Sequence, residues 1–499
     1  MTHPAPQHLT KSRFVAGWQC PKLLWWTVHE PLARELEPGV VLRDLFDQGN
    51  LVGARAREEW PLGVRIERDG DRATRVASTR AALDAGASVL FEACFEEDGV
   101  FVAVDVLERG ADGWTLVEVK SASSVKEYHL PDVAVQVHVA RRAGLDVRRA
   151  EVMHLNKEYR HPGGGVPLLV RSDVTSEVEA ILPEVPALIT AQLAVLAGPL
   201  PEHPVGPHCW FHDECAFFTR CWPDDPDHIR HLWNVGPKRT WAWMQEGVYT
   251  KSAIPKTAKL NEKQQRQLRA EREGVLIVER GLAAAIRPAM EAKRLGFLDF
   301  ETVGRALPVW NGLGPWHQAA AQFSYHERGE GGAMAHAEFL AEGPDDPSQT
   351  PDDPREPLAR AMLDATAGAD LIVVYTSFEK TRIKELAAHL PHLEAPLNAL
   401  RDKLWDLHPV VENNVYHPGF LGSFSLKYIL TPLVPDLSYS DLVIVDGKVA
   451  SVEIARLLFV SGRIPPAERD RTRRDLLEYC KRDTFATVRL VERLGELAR

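Results

Sequence analysis

The stretch Val102–Ser123, VAVDVLERGADGWTLVEVKSAS, holds two apolar runs around a Gly/Asp-rich turn, RGADG. That pattern predicts a β-hairpin. Side chains two apart on a strand share a face, so Glu118 and Lys120 point the same way, with Asp105 on the preceding strand. An E-x-K triplet is common in long proteins, and a charged surface hairpin is the plain alternative. Here the second strand is otherwise apolar (Trp114, Leu116, Val117, Val119), and Gln136 follows in DVAVQVHVARRAGL, which reads as a helix. Asp105 and Glu118 are candidate ligands for Mg²⁺ or Mn²⁺, which take hard oxygen donors. Lys120 is a candidate to position or deprotonate water or to stabilise a transition state, and Gln136 to orient Lys120 or a phosphate. Glu92, in LFEACFE, offers a further carboxylate.

Working outward, SVLFEACFEEDGVFVAVDVLER reads as strands, EVMHLNKEYR as another, and SEVEAILPEVPALITAQLAVLAG as a long helix. Beyond these lie cysteines. Cys20 stands in GWQCPKLLWW, and Cys209, Cys215 and Cys221 cluster in HCWFHDECAFFTRCW. One distant and three close thiolates would staple the ends of one domain. The C-x2–4-C knuckle usual in zinc sites is missing, so four thiolates favour an iron–sulfur cluster, with His208 and His212 keeping zinc open. Cys94, in a core-like strand, reads as packing, and Cys480 has no ligand partner.

A second carboxylate set lies toward the C-terminus. FLDFET places Asp299 and Glu301 on one face of an apolar strand, where they repel unless a cation binds. Glu379 follows a strand in VVYTSFEKT, and Tyr479 and Asp483 share a helix face at i, i+4. Carboxylates from separate elements can hold two Mg²⁺ or Mn²⁺ ions, with Tyr479 orienting water. Asp406 is another acidic candidate, and Lys427 is placed to meet a phosphate.

With 499 residues, more than one domain is expected. The composition, 45% hydrophobic and 26% charged, is that of a soluble globular protein; six cysteines do not make a disulfide scaffold, and a reducing cytoplasm fits. Net charge is −11, which counts against a wholly basic nucleic-acid binder but not against local basic patches. No secretory signal is read in MTHPAPQHLTKSRF, and no apolar run is expected to reach the ~20 residues of a membrane span.

The region from Cys20 to Cys221 resembles the RecB-like PD-(D/E)xK nucleases with an iron–sulfur staple. The resemblance implies metal binding at Asp105 and Glu118, catalysis by Lys120 with support from Gln136, and a [4Fe–4S] cluster on Cys20, Cys209, Cys215 and Cys221. The chain departs from it in the x5 cysteine spacing and in Asn50, which stands where a metal-binding His is usual. Residues 293–499 resemble the DnaQ-like, RNase H-fold exonucleases of the DEDDy type. There Asp299, Glu301, Glu379 and Asp483 would be the metal ligands and Tyr479 the catalytic tyrosine, with Glu379 where Asp is usual. The whole resembles a bacterial family fusing these two modules. In that family the middle segment looks like helix-hairpin-helix units, with Lys238 and Arg239 behind a turn at Gly236.

The expected architecture is α/β: a restriction-endonuclease-like domain over 1–225, a small helical linker domain over 226–292, and an RNase H-like mixed-sheet domain over 293–499. The expected function is a cytoplasmic, metal-dependent nuclease acting on DNA with single strands or free ends, in repair, recombination or defence. The alternatives are an RNA-processing 3′–5′ exonuclease using the C-terminal site and a nucleic-acid-binding adaptor with degenerate sites.

Overall fold

The computed structural model describes residues 8–499 apart from 212, 213 and 347. The chain is mixed α/β and divides into two compact units, residues 1–223 with 305–316, and residues 224–304 with 317–499. The stretch 226–292, expected as a separate linker domain, falls within the second unit.

The first unit runs β1 (Leu9–Thr10), α1 (Lys11–Gln19), α2 (Pro21–His29), α3 (Val40–Arg57), β2 (Val64–Arg65), α4 (Arg72–Asp84), β3 (Val89–Glu97), β4 (Val100–Gly110), β5 (Gly113–Lys120), α5 (Leu130–Arg142), β6 (Val147–Leu155), β7 (Leu169–Asp173), α6 (Thr175–Ile181), α7 (Val185–Ala197) and α8 (Phe218–Cys221). Its sheet has the order β2-β3-β4-β5-β6-β7, with β1 added parallel to β4. The β4–β5 pair is the antiparallel hairpin, closed at Gly110↔Gly113. Parallel strands need a crossover, and α5 supplies it between β5 and β6. Along β5, Leu116 joins the core under α1, α5 and α7, whereas Val117 joins the core on the opposite face. Glu118 and Lys120 continue the Leu116 side, so the strand delivers them toward α1 and α5.

The long helix expected over 176–198 is broken. Pro183 and Pro186 mark a 3-10 turn, Leu182–Glu184, between α6 and α7. The run Thr175–Ala197 is nonetheless long and apolar enough to cross a membrane by length and composition, contrary to expectation. Its acidic residues, Glu177, Glu179 and Glu184, all fall in its N-terminal half, which leaves the rest apolar. In this unit α7 buries Val185, Ile189, Gln192 and Leu196. A Cβ on Gly17 would lie 2.4 Å from the Gln192 amide, so a larger residue there would displace the side chain that bonds the Phe14 carbonyl.

The second unit contains α9 (Gly236–Gln245), α10 (Glu262–Glu273), β8 (Ile277–Val278), α11 (Leu282–Glu291), β9 (Leu295–Gly304), β10 (Gln318–Arg328), β11 (Met334–Leu340), α12 (Arg355–Thr366), β12 (Leu371–Val374), α13 (Phe378–His389), α14 (Glu394–Asp402), β13 (Leu404–Asp406), α15 (His408–Asn414), β14 (Val415–Tyr416), α16 (Leu426–Leu433), α17 (Gly447–Phe459) and α18 (Pro466–Leu497). Its main sheet has the order β11-β10-β9-β12-β13. The first three strands are antiparallel, and β12 and β13 run parallel to β9. Helices α17 and α18 pack on the central β9, which brings the end of the chain against Asp299 and Glu301.

Candidate active sites and metal centre

In the first unit Asp105, Glu118, Lys120 and Gln136 converge. Just past the last ladder pair of the hairpin, Val106↔Val117, Asp105 Oδ2 accepts the Val119 N–H at 2.8 Å. Lys120 Nζ lies 2.7 Å from Glu118 Oε1 and 2.7 Å from Asp132 Oδ2. Gln136 Nε2 donates to Glu118 Oε2 at 2.8 Å and to Asp132, so it orients the carboxylates rather than Lys120. The sequence reading missed Asp132, one turn before Gln136 on α5, and Lys11. The Lys11 ammonium reaches both Glu118 oxygens, at 3.0 and 3.2 Å.

The electrostatics separate the two carboxyls. Burial opposes the charge on Glu118, but Lys11 and Lys120 outweigh it and hold this carboxyl well below the usual range. Burial and the neighbouring Glu118 push Asp105 up to about 6. Burial disfavours the Lys120 ammonium, yet Glu118 and Asp132 raise it above the ordinary lysine range. Lys120 is thus held in its charged form by the two carboxylates it bonds. Glu92 sits at a left-handed backbone position, φ 58°, and pairs with Arg68 at 2.6 Å. Asn50 is exposed on α3.

Cys20, Cys209, Cys215 and Cys221 line one cavity together with His203 and His208. Burial pushes the Cys215 thiol up to about 11 and raises Cys221, with the neighbouring thiols adding to both. Cys20, His203 and His208 bring ligand atoms within 4.8 Å of one another. His203 was missed because it lies outside the cysteine segment. His212, the other histidine expected near a zinc ion, lies outside the described residues. Around the cavity, Gln19 Nε2 donates to the His208 carbonyl at 3.0 Å, and Arg220 pairs with Glu30 and Glu35 at 2.6 and 2.7 Å. Soft thiolates suit an iron–sulfur cluster, and the Cys/His subset suits zinc.

In the second unit Asp299, Glu301 and Asp483 offer carboxylate oxygens all within 4.8 Å of one another. Burial, then mutual repulsion, raises Asp299 and Glu301 well above the carboxylate range. Burial pushes Asp483 up to about 6 against hydrogen bonds from Tyr439 and Tyr479. Tyr479 thus meets Asp483 on α18, and Tyr439, from the loop after α16, is a second phenol that the sequence reading did not find. Cys480 Sγ faces Asp299 Oδ2 at 3.5 Å, which gives this thiol a neighbour after all.

Glu379 begins α13 nearby. Burial pushes its carboxyl up to about 8, and its Oε2 is buried without a hydrogen-bond partner. Just before it, Thr376 holds φ 99°, a strained position for a residue with a side chain, with its N–H on Asp406 at 3.0 Å. Asp406 thereby fixes the turn that presents Glu379. Lys427 is exposed, with its Nζ 6.0 Å from the Tyr479 ring centroid and its charge acting on Glu301. Lys238 and Arg239 are exposed in the first turn of α9, which starts at Gly236 with φ 65°.

A family model described as a domain of unknown function, DUF2779, matches residues 296–425. The match includes Asp299, Glu301 and Glu379 and stops before Lys427, Tyr479 and Asp483. No curated protein matches the chain.

Proposed function

We propose that the protein is a metal-dependent nuclease with two active sites, acting on DNA that has single strands or free ends. The observation that carries this reading is the convergence of Asp299, Glu301 and Asp483 from β9 and α18, with Glu301 buried, Asp299 half-buried, and their oxygens within 4.8 Å of one another. Clustered buried carboxylates without a cation are costly, and hard divalent ions are what such a donor set holds. The uncompensated Glu379 Oε2 beside them fits the same role. A bound Mg²⁺ or Mn²⁺ would supply Lewis acidity toward water and phosphate oxygen. Tyr479 and Tyr439 hold Asp483 in place by their phenols, and Lys427 stands exposed to meet a substrate phosphate. The strand order β11-β10-β9-β12-β13 supports an RNase H-like module with DEDDy-type chemistry.

For the first unit, the β4–β5 hairpin, the α5 crossover and the Asp105/Glu118/Lys120/Gln136 set support a PD-(D/E)xK module. There Asp105 and Glu118 would hold the cation, and Lys120, kept protonated by Glu118 and Asp132, would stabilise charge on the phosphate. The four cysteines would hold a [4Fe–4S] cluster that clips Cys20 to the segment 209–221. The test is degradation of end-labelled DNA and RNA, side by side, with Mn²⁺ or with chelator. Manganese-dependent loss of label from DNA is expected. Preferential loss from RNA would point to RNA processing, and binding without cleavage to an adaptor.

A further inference from the structure

We infer that Lys11 is a working residue of the first site: its ammonium holds the Glu118 carboxylate where a divalent ion must bind, and turns to the substrate phosphate once the ion is in place. This rests on the nuclease reading of that site. Lys11 Nζ approaches both Glu118 oxygens, at 3.0 and 3.2 Å, as a chelated cation does. Among the described residues its ammonium bonds to Glu118 alone, whereas Lys120 is also tied to Asp132. A cation on Glu118 would thus leave Lys120 still bonded to Asp132 and Lys11 without a hydrogen-bonded carboxylate, so Lys11 is the lysine that turns to the phosphate.

The backbone delivers Lys11 to Glu118 from a fixed position. Leu9 and Thr10 pair with Val100 and Phe101 of β4, the Thr10 side chain caps α1 by accepting the Arg13 N–H, and Gln192 Nε2 donates to the Phe14 carbonyl at 3.0 Å. Charge gives the reason for two lysines. Asp105, Glu118 and Asp132 face Lys11 and Lys120, which leaves one negative charge over. A divalent ion turns that into one positive charge, and a phosphodiester then brings the site to neutrality with Lys11 retained. An ammonium on Glu118 also competes directly with the incoming ion, since like charges a few ångströms apart repel strongly in a shielded site.

The test uses the full chain carrying Asp299→Asn and Asp483→Asn, so that only the first site is read. Mn²⁺ binding is measured by calorimetry, together with cleavage of labelled single-stranded DNA. Lys11→Met is expected to bind Mn²⁺ about tenfold more tightly and to cleave about tenfold more slowly, with Lys11→Arg restoring both toward the parent. Should Lys11→Met not fold, Lys11→Gln carries the same comparison. Unchanged Mn²⁺ affinity in the folded Lys11 variant, alongside lost binding in Glu118→Gln, overturns the role of Lys11 alone. Parent-like binding in Glu118→Gln overturns the first-site metal reading, and the proposal with it.

Discussion

Lys11 and Cys20 stand at opposite ends of one helix: Lys11 is the first residue of α1 and Cys20 is its C-cap, with the Cys20 N–H on the Ala16 carbonyl. One end reaches Glu118 and the other lines the cysteine cavity. The cysteine cavity and the candidate first site are therefore joined by nine residues of regular helix. Cys20→Ser is predicted to speed amide exchange along Arg13–Gln19 and to lower the melting temperature by several degrees, because ligand loss removes folding energy. Exchange mass spectrometry on the holoprotein reads both the local and the global effect. Metal analysis of the same anaerobic sample should find iron and sulfide rather than zinc.

The carboxylates of the second unit set the pH dependence of the metal-free protein. Glu379 is raised to about 8 by burial, so between about pH 4.5 and 8 the folded state holds a proton that the unfolded state has lost. Its contribution to stability is fully present below about pH 4.5 and is lost as pH rises toward 8. Asp299 and Glu301, raised for the same reasons, act in the same direction. Urea unfolding in chelator should show this slope, and saturating Mn²⁺ should remove it.

His326 gives the opposite sign at lower pH. Burial holds its imidazole down to about 4, with Nδ1 2.8 Å from the Thr484 hydroxyl. Below pH 6.5 the unfolded state takes a proton that the folded state refuses, so stability falls as pH drops from 6.5 toward 4. His326→Asn, which keeps a hydrogen-bonding side chain, is expected to flatten the acid limb of the unfolding curve.

Tyr439 tests the second site without removing a metal ligand. Its phenol donates to Asp483 Oδ1 and lowers a carboxyl that burial raises. Tyr439→Phe removes a hydrogen bond to a charged group, worth about 1.5–3 kcal/mol. Mn²⁺ affinity at pH 6.5 should fall about tenfold and approach the parent value by about pH 8.5, where Asp483 ionises unaided.

The local pieces of both sites were legible, and the long-range pieces were not. The β4–β5 hairpin follows from alternation and a Gly/Asp turn within one stretch, which also fixes Glu118 and Lys120 on one face. Tyr479 and Asp483 are neighbours by helical period. Lys11 meets Glu118 across 107 residues, and Tyr439 meets Asp483 across 44, through packing that no local pattern encodes. His203 joins the cysteine cavity from outside the cysteine segment, so spacing among the cysteines gave no hint of it. The break between α6 and α7 was visible in Pro183 and Pro186, but the strong apolar run around them masked it. Strand β11, MAHAEFL, is mostly exposed or half-buried and carries no buried run to mark it, and its place is set by pairing with β10.

The most direct measurement is Mn²⁺-dependent release of label from end-labelled single-stranded DNA by the parent, Lys120→Ala, Asp299→Ala and the double variant. Each single variant should lose part of the activity and the double variant essentially all of it. Parent-level release by the double variant, with the fold intact, would contradict a nuclease built on these two sites.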